Sequence, residues 1–321
     1  MTTRNRNIKL PSGRTVIAFV GVFLLLYLLA FAVAERTISR SGNASAFQKL
    51  WAAQGTKADW IVLGASHALP LAYGDVPDLL AEDTGQTMLV LAEVGAGPLY
   101  SRFVLDQALS DVQPRALLYV VDSFAFYSAS WNEGRVADRS LLRQTPLRVS
   151  TMRTLFRLVL TNGVDPRALL DYMTGFSKLN PPDRFPQDGW QGAEGFDRAF
   201  RPSRHATASR ISYLYPQPPA DENLSNYLNV LAGLITKAQT AGLQVQVVKF
   251  PIPDSFRDAL PNEPEFDRAL HETLRALDVP LHDLSAAIVE PKYFFDTDHL
   301  NRSGVDELYK SHLLPLLSND R

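Results

Sequence analysis

The stretch Asp59-Trp-Ile-Val-Leu-Gly-Ala-Ser-His-Ala-Leu-Pro70 decides how this chain reads. Trp60 to Leu63 is an unbroken apolar run, the length of a buried strand. Gly64-Ala65 then turns the backbone, and Ser66 and His67 stand at the strand's exit. Open α/β folds place their ligands outside the carboxyl ends of the strands. A hydroxyl at that edge is a candidate nucleophile, but a Gly-x-Ser also closes many strands as a plain turn. The choice rests on whether the rest of the chain supplies a base, an orienting acid and an oxyanion site.

Further apolar runs recur along the chain at Thr87–Ala92, Arg115–Asp122, Leu243–Phe250 and, more briefly, Val279–Asp283. Helical patterns separate them, at about Leu99–Leu109, Asn223–Ala241 and Glu263–Leu277, and a last one covers about Ser303–Leu317. A further helix starts at Asp75-Val-Pro-Asp, with Asp75 as its cap and Pro77 in its first turn. Strands alternating with helices predict a three-layer α/β/α, flavodoxin-like domain with a mostly parallel sheet. Residues from about 128 to 219 break the rhythm. Amphipathic patterns at Pro146–Leu160 and Asp165–Leu179 are followed by an irregular, Pro- and Gly-rich stretch, which reads as an insertion near the carboxyl edge of the sheet.

The amino-terminal part is not globular. Arg4, Arg6, Lys9 and Arg14 precede the uncharged run Val16–Ala34, and Glu35 follows it. A helix of about 20 apolar residues crosses a bilayer, and the flanking charges predict that the amino terminus stays in the cytoplasm. Ala32-Val33-Ala34 offers the alternative of a cleaved signal peptide, but the run exceeds the usual signal core. The expected organisation is a cytoplasmic segment 1–14, a single-pass anchor 15–36, a linker 37–57 and an α/β domain 58–318 with its insertion at about 128–219. That organisation implies a single-pass membrane protein whose domain is exported from the cytoplasm. A net charge of −2 gives no reason to expect a nucleic-acid partner. With no cysteine in 321 residues, disulfides, thiolate metal sites and a cysteine nucleophile are excluded.

Near the carboxyl end stands Tyr293-Phe-Phe-Asp-Thr-Asp-His-Leu-Asn-Arg-Ser-Gly304. A serine hydroxyl needs an imidazole to take its proton, and the imidazole needs an acceptor that fixes its tautomer. Asp296 and His299, three apart on one turn, are suited to both tasks. Asp298, the immediate neighbour of His299, is expected to point elsewhere.

With Gly64-Ala-Ser66 after the first strand and Asp296-Thr-Asp-His299-Leu at the end, the chain resembles the SGNH (GDSL-like) hydrolase family. The resemblance implies Ser66 as nucleophile, His299 as base and Asp296 as orienter. It also implies an oxyanion glycine after the second strand. Gly95, in Val94-Gly-Ala-Gly-Pro98, is the match, with Gly97 the alternate. The third block of the family, Gly-x-Asn-Asp, is not matched: the equivalent edge reads Val121-Asp-Ser-Phe-Ala-Phe126. The oxyanion would then rest on the backbone N–H groups of Ser66 and Gly95, with Ser123 as a further candidate. The chain is most similar to the membrane-anchored, exported branch of the superfamily. That branch adds or removes acyl groups on bacterial surface polysaccharides, as the alginate acetylation proteins and the D-alanylation protein of teichoic acids do. The implied activity is an esterase or O-acyltransferase acting on an acylated glycan, within an envelope modification complex and without a cofactor. A non-catalytic glycan- or partner-binding protein is the alternative.

Several residues keep two readings. His67 either contacts substrate or holds the turn, and Asp122 either borders the site or caps the next segment. Arg184, Arg198, Arg201, Arg204, His205 and Arg210 face either an anionic glycan or solvent. Trp190 and Phe196 either stack on sugar rings or pack the insertion. No His, Asp or Glu cluster has metal-binding spacing except Asp296-x-Asp298-His299, which the triad explains better, so no metal is expected.

Overall fold

The computed structural model describes residues 12–41, 45–185, 190 and 192–318. Arg4, Arg6 and Lys9 lie outside the described residues.

Five strands form one sheet: β1 Lys57–Gly64, β2 Met88–Val90, β3 Gln113–Val120, β4 Gln244–Lys249 and β5 Leu281–Asp283. Their order is β2-β1-β3-β4-β5 and every pairing is parallel. This is the flavodoxin-like order. Along β1, Trp60, Ile61, Val62 and Leu63 are all buried, because alternate side chains enter opposite cores. Ile61 and Leu63 join Leu117, Tyr119 and Val247 under the helices Pro98–Asp111, Asp221–Thr240 and Glu263–Ala276. Trp60 and Val62 join Leu118, Val120 and Val248 under Val76–Thr84 and the carboxyl-terminal helices. A continuous apolar strand is the sequence signature of such two-sided cover.

The elements begin and end within a few residues of the expected runs, and the exceptions have local causes. Asp75 sits at the N-cap position, but its φ of 55° is left-handed and its side chain makes no capping bond. The last helix is three pieces: Arg302–Leu308, a π-helical turn Tyr309–Leu313, and Leu314–Ser318. Pro315 has no N–H to continue the α-helical ladder, which favours the wider turn before it. The pattern at Asp165–Leu179 is also split, because Gly175 ends Pro166–Thr174 in a left-handed cap with φ 68°.

Between β3 and β4 the helices Val149–Thr161, Pro166–Thr174 and Arg204–Leu214 fold back over the domain. Trp131 Nε1 donates to the Leu214 carbonyl at 2.8 Å, fixing the end of the last of these near the strand exits. At the other end of the chain, the helix Gly13–Arg40 has no buried residue. Its mean hydropathy reaches 2.9, and it is long and apolar enough to span a membrane.

Candidate active site

Gly64 closes β1 with φ 144°, and a Cβ there would stand 2.5 Å from the Val120 carbonyl oxygen. Only glycine permits both the backbone conformation and the close approach to β3. The turn it allows delivers Ser66 and His67 into a short 3-10 helix, Ser66–Ala68, at the carboxyl edge of the sheet. The second wall of this edge is the turn after β2. Glu93 N–H donates to the Gly64 carbonyl at 3.2 Å, and Ala96 N–H closes onto the Glu93 carbonyl at 3.1 Å. Gly95 therefore lies in a turn tied to the strand end that leads to Ser66. Its φ is 63°, and a Cβ would press 2.5 Å from the Trp131 ring.

The third wall is the loop 294–301. Phe295 N–H donates to the His299 carbonyl at 3.0 Å, and Asn301 N–H to the Tyr293 carbonyl at 2.9 Å, pinching the loop closed. Inside it, the Asp296 carboxylate accepts from the backbone N–H groups of Asp298 and His299 at 3.1 and 2.8 Å. The same carboxylate meets His299 Nδ1 at 2.9 Å from both oxygens. His299 Nε2 lies 2.9 Å from Ser66 Oγ. These three form a hydrogen-bonded chain of hydroxyl, imidazole and carboxylate, with the imidazole free to accept the hydroxyl proton at Nε2 while Nδ1–H stays on the acid. Burial works against the charge on Asp296, but His299 and the hydrogen bonds it accepts hold its pKa below the usual carboxylate value.

Beneath this chain runs a second buried network. His67 Nδ1 is 2.5 Å from Asp122 Oδ1, and its Nε2 is 3.3 Å from Asp298 Oδ2 without an aligned hydrogen bond. Burial alone would lower the His67 pKa; Asp122 and Asp298 overcome it and raise it to about 10. The imidazole is thus a fixed cation beside the His299 ring, at a centroid distance of 4.8 Å. Asp298 also accepts from Arg210 Nε at 3.1 and 3.0 Å and from Thr297 Oγ1 at 2.5 Å, and its carboxylate pairs with Arg210 Nη2 at 2.9 Å. Burial opposes ionisation of Asp298, but His299, Arg210 and His67 hold its pKa well below the carboxylate value.

The site is closed from above. Ser66 is 2% exposed and His299 0%. The Trp190 ring covers His299 at 4.6 Å, and its Nε1 donates to Asp296 Oδ2 at 3.3 Å. Phe295 lies nearly parallel to His299 at 5.6 Å and touches Trp190 at 6.0 Å, so the two rings cover the imidazole together.

Several expectations change in this light. Asp298 turns away from His299 Nδ1, standing 3.6 Å from it, but becomes the centre of the lower network. Asp122 makes no capping bond and borders the site through His67. His67 is buried between two carboxylates. Ser123 Oγ is hydrogen-bonded to Tyr215 Oη at 2.9 Å. Gly97 N–H donates to the Trp131 carbonyl at 2.7 Å and so is not available to a substrate. Phe196 is buried, edge-on to Tyr73 at 5.8 Å, and packs the core. Arg210 is turned inward, while Arg184, Arg198, Arg201, Arg204 and His205 stay exposed.

His67, Asp298 and His299 bring one ligand atom each within 4.8 Å of one another. Arg210 already neutralises Asp298, and Ser66 and Asp296 take both nitrogens of His299, so these groups are committed elsewhere. The ion pair of Arg210 with Asp298 has no sequence signal: the two stand 88 positions apart, and nothing local distinguishes Arg210 from its exposed basic neighbours.

No family model matches the chain, and no curated protein does. Among solved structures it is similar to a Bacteroides fragilis protein provisionally described as an acylhydrolase. The TM-score is 0.41 at 9% identity, covering 82% of this chain and 90% of that one. It is also similar to a Streptococcus pneumonia protein provisionally described as platelet activating factor. There the TM-score is 0.37 at 11% identity, covering 95% of this chain and 100% of the other.

Proposed function

We propose that this protein is a serine acyl-ester hydrolase or O-acyltransferase of the cell envelope, anchored by Gly13–Arg40 with its domain on the periplasmic side. The observation that carries the reading is the chain from Ser66 Oγ through His299 to Asp296, each link at 2.9 Å. Ser66 attacks an ester carbonyl as His299 Nε2 takes the hydroxyl proton. The proton then passes to the leaving alkoxide, and an acyl-serine remains. Water, or a sugar hydroxyl, attacks the acyl-serine after giving its proton to His299, and Ser66 recovers it. Backbone N–H groups of Ser66 and Gly95 hold the oxyanion.

Asp296 holds His299 Nδ1 at 2.9 Å, which fixes the tautomer that leaves Nε2 open to the hydroxyl proton and sets a carboxylate beside the imidazolium that forms during the transfer. The glycan substrate is the part of the reading that rests on the SGNH resemblance and on the exposed basic residues Arg198, Arg201 and Arg204 of the insertion. Fluorophosphonate labelling of the full chain in detergent, with Ser66→Ala as control, tests the mechanism. Label on Ser66 is the expected result, and its absence would sink the covalent-serine step.

The near-complete burial of Ser66 favours one other reading: a binding protein that keeps the fold without turnover. An unlabelled Ser66 alongside retained binding of an acylated glycan would support it.

A further inference from the structure

We propose that the helices Val149–Thr161 and Pro166–Thr174 lie in the lipid interface beside the anchor, with their exposed apolar stripes against the bilayer. The inference rests on reading Gly13–Arg40 as a membrane span.

Each helix has two apolar stripes. Thr151, Leu155 and Leu158 face the core from the first, and Ala168 and Tyr172 from the second. On the other side, Val149, Phe156 and Leu160 follow helical spacing and are exposed, Leu160 to 68%. Leu170 and Met173 do the same on the second helix, with Leu170 60% exposed. A surface helix normally needs only the inward stripe. An exposed apolar face shared by two packed helices, interrupted on the first only by Arg153, needs a cover.

The anchor identifies that cover. Tyr27, Phe31 and Glu35 share one face of Gly13–Arg40, at i, i+4 and i+8. Tyr27 Oη donates to the Thr174 carbonyl at 2.5 Å. Phe31 packs on Gly175, and Glu35 pairs with Lys178 and accepts from Leu147 N–H at 2.9 Å. Glu35 is the first charge after the apolar run, so it marks where the span leaves the hydrocarbon. Tyr27 lies eight residues deeper, about 12 Å along the helix axis. Helical side chains tilt toward the amino terminus, which sets the contact deeper still. A membrane that contains Val16–Ala34 must therefore also reach the end of Pro166–Thr174. Interfacial helices bury their apolar faces by roughly 5–10 Å, a depth of the same order. Exposed Arg153 and Arg167 are suited to headgroup phosphates at that level.

The absence of native cysteine allows a direct test on the full chain in liposomes. Single variants Leu160→Cys, Leu170→Cys and Met173→Cys carry a nitroxide, and collision with oxygen is compared with collision with a water-soluble nickel chelate. Leu24→Cys reports the span, and Glu272→Cys reports an exposed position on the helix Glu263–Ala276. The expected oxygen-to-nickel ratio at 160, 170 and 173 is several-fold above that at 272. A ratio equal to that at 272, with position 24 deep in lipid, overturns the proposal alone. Nickel access at position 24 overturns the anchor and the proposal with it. Shielding that comes with spin–spin broadening, lost on dilution with unlabelled chain, assigns the face to a second copy and also overturns the proposal.

Discussion

Asp296 meets His299 Nδ1 at 2.9 Å through both carboxylate oxygens, whereas its neighbour Asp298 stands 3.6 Å from the same nitrogen and turns to Arg210. The two carboxylates on one loop thus separate by role. Replacing Asp296 with Asn puts an amide where the Nδ1–H needs an acceptor and favours the wrong tautomer. Ser66 acylation by an activated ester in Asp296→Asn is expected to fall by on the order of 10³ to 10⁴-fold, with little change in melting temperature. Stopped-flow acylation beside a thermal melt checks both halves.

Asp298→Asn carries the opposite signature. It leaves Arg210 and His67 as buried cations that have lost their shared anion. Breaking a buried pair by removing one partner costs about 3–5 kcal/mol. The expected result is a large fall in the denaturant midpoint of the detergent-solubilised chain. Asp298→Asn as stable as the native protein would show that the lower network is not structural.

His67 makes stability depend on alkaline pH. Its folded pKa of about 10 lies above the ordinary histidine value of 6.5. A raised pKa means the folded state holds the proton more tightly. The stabilisation is complete below 6.5 and is lost as pH rises toward 10. Melting temperature is expected to decline through that window in the native protein. His67→Gln, which cannot take the charge, should show a lower melting temperature at neutral pH and a flatter profile across the same range.

Gly64→Ala tests the strand exit. The added methyl meets the Val120 carbonyl oxygen at 2.5 Å in a backbone conformation disfavoured for any L side chain. A destabilisation of about 3 kcal/mol is expected, with Ser66 labelling reduced in the fraction that still folds. A fully stable, fully labelled Gly64→Ala would show that β1 and β3 can separate without disturbing Ser66.

The sequence by itself determined what depends on near neighbours. The five strand runs, the helices between them, the apolar span, and the Asp296 and His299 spacing are local patterns. Periodicity, turn residues and a three-residue separation are written in consecutive positions. Even there, backbone conformation escaped it: Asp75 is left-handed, and the carboxyl-terminal helix widens into a π turn. Only the tertiary structure decided what depends on residues far apart in the chain. It set Ser66 2.9 Å from His299 across 233 positions and turned Arg210 inward from a run of basic residues. It also paired the Ser123 hydroxyl with Tyr215, laid Trp190 over His299, and joined Tyr27 of the helix Gly13–Arg40 to the Thr174 carbonyl at the end of Pro166–Thr174. Which charge ends up buried beside which is a matter of packing, because a buried ion is tolerated only where the fold delivers its partner.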